Sequence, residues 1–341
     1  MRRPDRLPRL AALALLLAGC ASQSRTPPVT AAGSVERLDP ALDALVPRDA
    51  RVERLAGGFA WAEGPAWRKD GGYLLFSDAP HNTMWRWKEG EGLSIFLRPA
   101  GYTGTNPPGR ELGSNGITID ASGAVVYADH GNRLVTRLVD SNFTKRTIAE
   151  RYQGKRFNSP NDLVFRSNGD LYFTDPPYGL AGQDSDPAKE LSFNGVYRVT
   201  PSGEVTLLTR ELTRPNGIAF SPDERTLYVA NSDADHAVWM AYDVNEDGTI
   251  ANGRVLFDAT PLAKQGKPGL PDGMKVDRAG NLFAGGPGGV LVITPQGKHL
   301  GTIVTGQPTA NCAWGDDGST LYMTANDQLF RIRLTTRGAR F

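Results

Sequence analysis

Six acidic or amide side chains stand at the same position of a repeated segment, and together they offer oxygen ligands for a metal ion. Spaced by 52, 46, 55, 56 and 39 residues, these leader residues are Glu63, Asn115, Asn161, Asn216, Asp272 and Asn311. Carboxylate and amide oxygens suit Ca²⁺ or Mg²⁺, whereas zinc more often binds His or Cys. The four histidines show no paired spacing. The leader residues therefore predict a hard-cation site, provided that the fold brings them together.

Turn chemistry is the alternative explanation for any single leader residue. Asn-Gly and Asp-Gly are common turn dipeptides, because Asn and Asp bond to their own backbone and Gly tolerates unusual dihedral angles. Glu is a poor turn residue, so turn chemistry explains Glu63 least well. Asn311, which is followed by Cys312, is the leader residue that a turn still explains.

The repeat also predicts the elements that position these side chains. Each unit of about 50 residues reads as up to four short strands, as in residues 163–165, 171–174, 195–198 and 205–208. Such units are typical of β-propeller blades. We therefore predict an all-β, six-bladed propeller with four antiparallel strands per blade. Eleven or twelve residues after the leaders, the second strands carry Leu74, Tyr127, Tyr172, Tyr228, Phe283 and Tyr322.

The last unit is one strand short, and residues 51–55 are placed to supply its outer strand. Closing the ring in this way removes exposed sheet edges. In a closed propeller the inner strands line a central channel, so the leader residues are expected to converge at its mouth.

Composition supports a folded domain and argues against nucleic-acid binding. The chain of 341 residues is 40% hydrophobic and 22% charged, with 39 Gly and 24 Pro, as many strands and tight turns require. The net charge is only +1. Because no basic patch is interleaved with aromatic residues, we predict no nucleic-acid partner.

The N-terminus predicts export from a bacterial cell. Residues 1–19 combine four arginines with an apolar run, as in a signal peptide, and the segment ending at Cys20 resembles a lipoprotein cleavage site. We predict lipidation of Cys20, a flexible tether over residues 20–45, and a propeller over residues 46–341. A plain signal peptide with an incidental Cys20 is the alternative. The expected location is the outer membrane, facing the periplasm, with the lipid as the only membrane contact of a monomer.

Six motifs in order resemble the SMP-30/gluconolactonase family of six-bladed propellers, and its bacterial gluconolactonase-like branch in particular. The matching stretches are 63–67, 114–118, 158–162, 173–179, 214–217 and 270–273. The resemblance implies hydrolysis of sugar lactones with one divalent cation, for which we expect Ca²⁺, with Mg²⁺, Mn²⁺ and Zn²⁺ as alternatives. It also implies four ligands and makes one of them, Asp272, the catalytic base; the ligands are Glu63, Asn161, Asn216 and Asp272.

Three further residues are expected to contact the substrate. Asn115 matches the bacterial branch of the family, which favours a substrate contact over metal ligation. The second strands return to the channel mouth and place Asp78, His130, Asp175 and Asn231 there, and of these we predict that His130 and Asp175 contact substrate. The alternative for both is a loop residue that bonds to the backbone.

Two other functions remain open at this point. Organophosphate or aryl-ester hydrolysis would use the same site, and a non-catalytic envelope propeller would keep the ion only for structure. The chain has no Gly-x-Ser-x-Gly motif, so a serine hydrolase finds no support. We expect the choice of lactone to depend on the loops over residues 99–113 and 180–194.

Overall fold

The computed structural model describes residues 30–341. The predicted signal peptide over residues 1–19 and the predicted lipidation site Cys20 lie outside the described residues. The predicted tether over residues 20–45 lies partly outside them.

Six antiparallel sheets form the blades of a six-bladed β-propeller, as the repeat predicts. In blades 1 to 4 the strands follow chain order from the channel to the rim. Blade 1 contains Ala62–Arg68, Tyr73–Asp78, Thr83–Lys88 and Gly92–Leu97; blade 2 contains Ser114–Ile119, Val125–Asp129, Leu134–Leu138 and Lys145–Ala149. Blade 3 contains Leu163–Phe165, Leu171–Asp175, Gly195–Val199 and Val205–Thr209; blade 4 contains Pro215–Phe220, Thr226–Asp233, His236–Val244 and Ile250–Asp258. Blade 5 begins with Met274–Val276, Leu282–Gly286, Gly289–Ile293 and His299–Val304, and blade 6 with Thr309–Gly315, Thr320–Ala325 and Gln328–Arg333.

An N-terminal strand completes blade 6 and closes the ring. The strand Glu53–Gly57 pairs antiparallel with Gln328–Arg333, two residues further along the chain than the segment expected from sequence. An ion pair between Arg331 Nε and Glu53 Oε2, 2.7 Å apart, joins the two ends of the chain. The prediction that an N-terminal strand closes the last blade is therefore confirmed.

Residues 30–45 belong to the fold, which differs from the predicted flexible tether over 20–45. Ser34–Arg37 adds a fifth strand to blade 5, and Thr30–Ala31 adds a fifth strand to blade 6. The 3₁₀ helix Pro40–Ala44 follows and buries Leu42 completely. The composition of this stretch suggested a linker, but Leu42 and its neighbours cover apolar surface that blades 5 and 6 would otherwise expose.

The hydrophobic core lies between neighbouring blades. Tyr172 of blade 3 meets Phe220 of blade 4 edge to face, with ring centroids 4.8 Å apart, and Phe283 of blade 5 meets Trp314 of blade 6 at 5.0 Å. The apolar residue that recurs in each second strand is buried in every blade. The repeat therefore encodes the blade-to-blade packing as well as the strand count.

The C-terminal residues 334–341 join four blades at the end of the channel opposite the leader residues. Ala339 N donates to Val276 O of blade 5, and Gly338 N donates to Gly318 O of blade 6, both at 3.0 Å. Arg340 bonds to Phe165 O and to Glu224, in blades 3 and 4. This tail spans the ends of several inner strands and so links blades that are distant in sequence.

Helices are few among residues 30–341. They comprise one short α-helix, Thr260–Lys264, and the 3₁₀ helices Pro40–Ala44 and Gln183–Ser185, while Arg151–Tyr152 and Lys155–Arg156 form a separate small hairpin. In this part of the chain no helix has the length and apolarity needed to cross a membrane.

Candidate active site at the channel mouth

The leader residues occupy irregular positions of the inner strands, where the strand pairing shifts, and the turn interpretation is wrong for most of them. In four blades the pairing between the first and second strands shifts at or beside the leader residue, at Glu63/Ala66, Ser114/Ile117, Pro215/Ile218 and Thr309/Asn311. In the other two blades the leader lies just before the inner strand. A bulge bends the strand and re-aims a side chain. These bulges account for leader residues that point to the channel mouth.

Glycine follows four of the leader residues because neighbouring inner strands nearly touch there. A Cβ on Gly64 would lie 2.0 Å from Asn115 O, and one on Gly217 would lie 2.2 Å from Asp272 O. The Gly116 N–H uses the same closeness to donate to Asn161 O at 2.8 Å. The glycine that follows the leader residue therefore lets neighbouring inner strands pack closely around a narrow channel.

A cavity of about 360 Å³ opens at this mouth, and five of the six leader residues line it. Its volume falls at the lower end of the range for small-molecule sites, roughly 300–1,000 Å³. The other lining side chains come from loops and strand ends, and sequence analysis did not identify them. The leaders in its wall are Glu63, Asn115, Asn161, Asn216 and Asp272; the other lining residues include Trp61, Glu111, Tyr178, Ser232, Leu270 and Pro308.

Two of the lining carboxylates, Glu63 and Asp272, repel each other in the cavity wall. Burial raises the pKa of Glu63 to about 8, against an ordinary value of 4.5. Burial, and then the charge of Glu63, hold the pKa of Asp272 well above its usual range. Each carboxylate accepts one backbone N–H, from Gly64 at 2.7 Å and from Gly273 at 2.9 Å. No Lys or Arg side chain lines the described cavity to balance the two charges.

The donor set fits a hard divalent cation. Asn161 Nδ2 donates to Asn216 Oδ1 at 2.9 Å, so the two predicted amide ligands are adjacent. Asn161 Oδ1 is buried and has no hydrogen-bond partner, an arrangement that costs free energy unless a ligand fills the position. Residues 30–341 hold no cluster of three or more His, Cys, Asp or Glu side chains suited to a metal. A cation here would therefore depend on the amide oxygens as well as the two carboxylates.

Asn311, the sixth leader residue, does not line the cavity and is not a turn residue. Its Nδ2 donates to Asp162 Oδ2 at 3.3 Å, between residues 149 positions apart. Its Oδ1 accepts from Cys312 N at 2.8 Å and from Lys275 Nζ at 3.4 Å. Asn311 therefore joins blades 3, 5 and 6 in a polar contact within the channel.

The surroundings of Asp175 differ from those expected of a substrate contact. Its carboxylate is fully buried and accepts from the backbone N–H groups of Asn158 and Ser159, both at 2.8 Å. It does not line the cavity. Asp78 and Asn231 likewise bond to the backbone that precedes their own inner strands. These strand-end residues hold the loops that enter the channel mouth, as the alternative explanation anticipated.

His130, the other predicted substrate contact, reaches the cavity only through a second residue. It is fully buried, and its Nδ1 lies 2.8 Å from Glu111 Oε2. Glu111 itself lines the cavity. Sequence reasoning missed Glu111 because it stands outside the repeated position; its only signal was a charged residue in the loop over residues 99–113.

Comparison with known proteins places this geometry in a family. The sequence matches the SMP-30/Gluconolactonase/LRE-like region over residues 61–327. A gluconolactonase from Zymomonas mobilis is 42% identical over 312 residues, covering 90% of this chain and 87% of the relative. The pentonolactonase XacC of Haloferax volcanii is 27% identical over 270 residues, covering 77% and 80%.

Solved structures agree with the sequence relatives. The structure of a gluconolactonase from Xanthomonas campestris has a TM-score of 0.78 and 31% identity, and the match covers 91% of this chain and 98% of that one. The family match over residues 61–327 includes the five leader residues of the cavity wall. The chain therefore belongs to the SMP-30/gluconolactonase/LRE-like family.

Proposed function

We propose that the protein is a hydrolase that opens the cyclic ester of sugar lactones and uses a divalent cation at the channel mouth. The observation that carries the cation is the pairing of two buried carboxylates, Glu63 and Asp272, without a positive side chain in the cavity wall. Family membership and the lactonase relatives support lactone hydrolysis.

The cation would be held by oxygen atoms of four residues. Glu63 Oε2 and Asp272 Oδ1 each accept a backbone N–H, which fixes the two carboxylates in the cavity wall. Asn161 offers the unpartnered Oδ1, and Asn216 Oδ1 keeps a second lone pair. We propose Ca²⁺ first, because carbonyl and carboxylate oxygens suit hard cations. When bound, the cation supplies positive charge that stabilises the oxyanion formed on the lactone carbonyl.

Asp272 is placed to take the proton of the attacking water. Its carboxylate lies in the cavity wall, where it can accept a proton from water as a general base. Asn115 contributes an unpartnered buried Oδ1 to the same cavity, which can accept a hydrogen bond from a substrate hydroxyl. Trp61 and Tyr178 give the cavity aromatic walls against which a sugar ring can pack.

Turnover of D-glucono-1,5-lactone, followed with a pH indicator, tests this proposal. We expect hydrolysis that EDTA abolishes and added Ca²⁺ restores. Asp272→Asn should lower kcat by a factor of about 10² or more, as expected when a general base is lost. The matched control is Asp49→Asn, an exposed carboxylate outside the cavity. Hydrolysis that survives both EDTA and the Asp272 substitution would overturn the metal-lactonase proposal, and turnover of aryl esters or organophosphates alone would redirect it.

A further inference from the structure

Glu111 is a third carboxylate of the cavity, and the cation site does not account for it. Its charge contributes to the raised pKa values of Glu63 and Asp272, after burial and the charges of other carboxylates. Glu111 therefore faces the same space as the two proposed ligands. Glu111 comes from the loop that precedes blade 2, while all four proposed ligands come from inner strands or the residues just before them.

His130 holds the Glu111 carboxylate in place. A carboxylate only accepts hydrogen bonds, so the proton of the 2.8 Å contact belongs to His130 Nδ1. The imidazole is fully buried and its Nε2 has no hydrogen-bond partner. Burying a histidine with an unsatisfied ring nitrogen costs free energy. A histidine at this position therefore suggests a role beyond packing.

The backbone beside Glu111 is fixed from two sides. Tyr102 N donates to Leu112 O at 2.8 Å, and His130 N donates to Gly113 O at 3.1 Å. Gly131 admits this contact, because a Cβ there would lie 2.2 Å from Leu112 O. Of the two oxygens of Glu111, only Oε2 bonds to another described residue, so Oε1 remains available to a ligand.

Two loops meet at this wall of the cavity. Ala181 N, from the loop after the second strand of blade 3, donates to Pro108 O at 3.0 Å. A Cβ on Gly109 would lie 2.3 Å from Gly179 O, so the loops pack directly on each other. Tyr178 of the same blade 3 loop lines the cavity with Glu111. This wall of the cavity is thus closely packed and carries one carboxylate, that of Glu111.

We infer that Glu111, oriented by His130, is a specificity residue that accepts hydrogen bonds from the ring hydroxyls of the substrate. The inference rests on the proposed lactone hydrolysis and adds a residue and its role. An ionised carboxylate is a strong acceptor for hydroxyl donors. It can form no such hydrogen bond with a lactone that lacks hydroxyl groups. Binding of that lactone would only desolvate the carboxylate charge, which costs free energy.

Paired substrates separate this role from catalysis. For Glu111→Gln we expect KM for D-glucono-1,5-lactone to rise about tenfold with kcat within about twofold, as for one lost hydrogen bond to a charged group. For δ-valerolactone, which has no ring hydroxyls, kcat/KM should stay the same or rise. The matched control is Glu204→Gln, an exposed carboxylate on blade 3. An equal loss with both lactones, or no change with either, would overturn the inference.

A binding measurement keeps the inference independent of turnover. 1,5-Anhydro-D-glucitol has the ring and hydroxyls of the lactone but no carbonyl, so it can bind without reacting. We expect calorimetric binding to the wild-type chain that weakens about tenfold in Glu111→Gln. Unchanged binding would contradict the role of Glu111. An inactive wild-type chain that still binds this ring through Glu111 would instead refute only the proposed reaction.

His130 is tested as a positioning residue by two substitutions. His130→Asn keeps a donor near the position of Nδ1 and should retain KM within about threefold, whereas His130→Leu should reproduce the KM increase of Glu111→Gln. Thermal melting of both variants shows whether they fold. If the two variants behave alike toward D-glucono-1,5-lactone while folded, the contact with Glu111 does not position the carboxylate.

Discussion

Glu63 and Asp272 are single residues whose burial lowers the stability of the protein but provides oxygen ligands for the proposed cation. Both carboxylates lie in the cavity wall, and burial raises the pKa of each; the charge of Glu63 raises that of Asp272 further. A protein that needed only a stable channel would gain from apolar or paired side chains here. The unpartnered amide oxygen of Asn161 adds to the same imbalance. A cation bound as we propose would offset all three at once.

The pH dependence of the metal-free protein follows from this pair. Folding raises the pKa of Glu63 from 4.5 to about 8, so the folded chain holds more protons than the unfolded chain between these values. Stability of the metal-free protein should therefore fall as pH rises from about 5 to 8. In thermal melts with EDTA, we expect Tm to drop over this range less in Glu63→Gln than in the wild type.

Calcium addition provides the control for that measurement. Ca²⁺ should raise the Tm of the wild type more at pH 8 than at pH 5, because protons compete for the carboxylates at low pH. It should leave Glu63→Gln nearly unchanged, while Glu204→Gln should follow the wild type. A wild-type Tm that does not respond to Ca²⁺ at pH 8 would argue against the cation site.

Each inner strand carries one leader residue, at a shift in strand pairing in four blades and just before the strand in blades 3 and 5. The bulge frees the leader residue from regular pairing, and the following glycine lets the next blade approach. The closest contact is in blade 5, where a Cβ on Gly273 would lie 1.9 Å from Asn311 Cγ. Gly273 follows Asp272 directly and donates to its carboxylate at 2.9 Å. The geometry of the strand and the position of the Asp272 carboxylate are therefore coupled.

Gly273→Ala is expected to disturb both the packing of the inner strands and the position of the Asp272 carboxylate. The added methyl group must displace the side chain of Asn311 or the strand itself, at a cost of about 1–3 kcal/mol in the free energy of unfolding. Urea unfolding should show this loss, and turnover of D-glucono-1,5-lactone should fall at least tenfold because Asp272 moves. Gly57→Ala is the control, since its nearest contact is an ordinary 3.4 Å. Equal unfolding free energies for the two variants would show that the ring is not closely packed at Gly273.

At the scale of the whole molecule, both chain ends stabilise the ring. The strand Glu53–Gly57 completes blade 6, and residues 34–45 extend over blade 5. The C-terminal tail joins blades 3 to 6 at the opposite end of the channel. Contacts between distant parts of the chain therefore hold the blades in the arrangement that brings the leader residues together.

Leu42→Ala measures how far the N-terminal segment contributes. Leu42 is fully buried in the cluster shared by blades 5 and 6, so its truncation should reduce the free energy of unfolding by about 2–5 kcal/mol. Leu38, only four residues earlier, is 55% exposed. Leu38→Ala should therefore change the free energy of unfolding by about 0.5 kcal/mol or less. Similar effects of the two substitutions in chemical denaturation would mean that residues 34–45 act as a tether after all.

The sequence by itself determined the six blades, the strand that closes them and five of the six leader residues in the cavity wall. It could do so because a residue at one position of a repeat takes the same place in every blade. Tertiary structure decided the rest. The contact of Glu111 with His130 and that of Asp162 with Asn311 depend on loops and blades that meet in space, and no local pattern encodes them. The backbone contacts of Asp175 and the burial of Leu42 have the same origin, since both depend on what the finished ring leaves exposed.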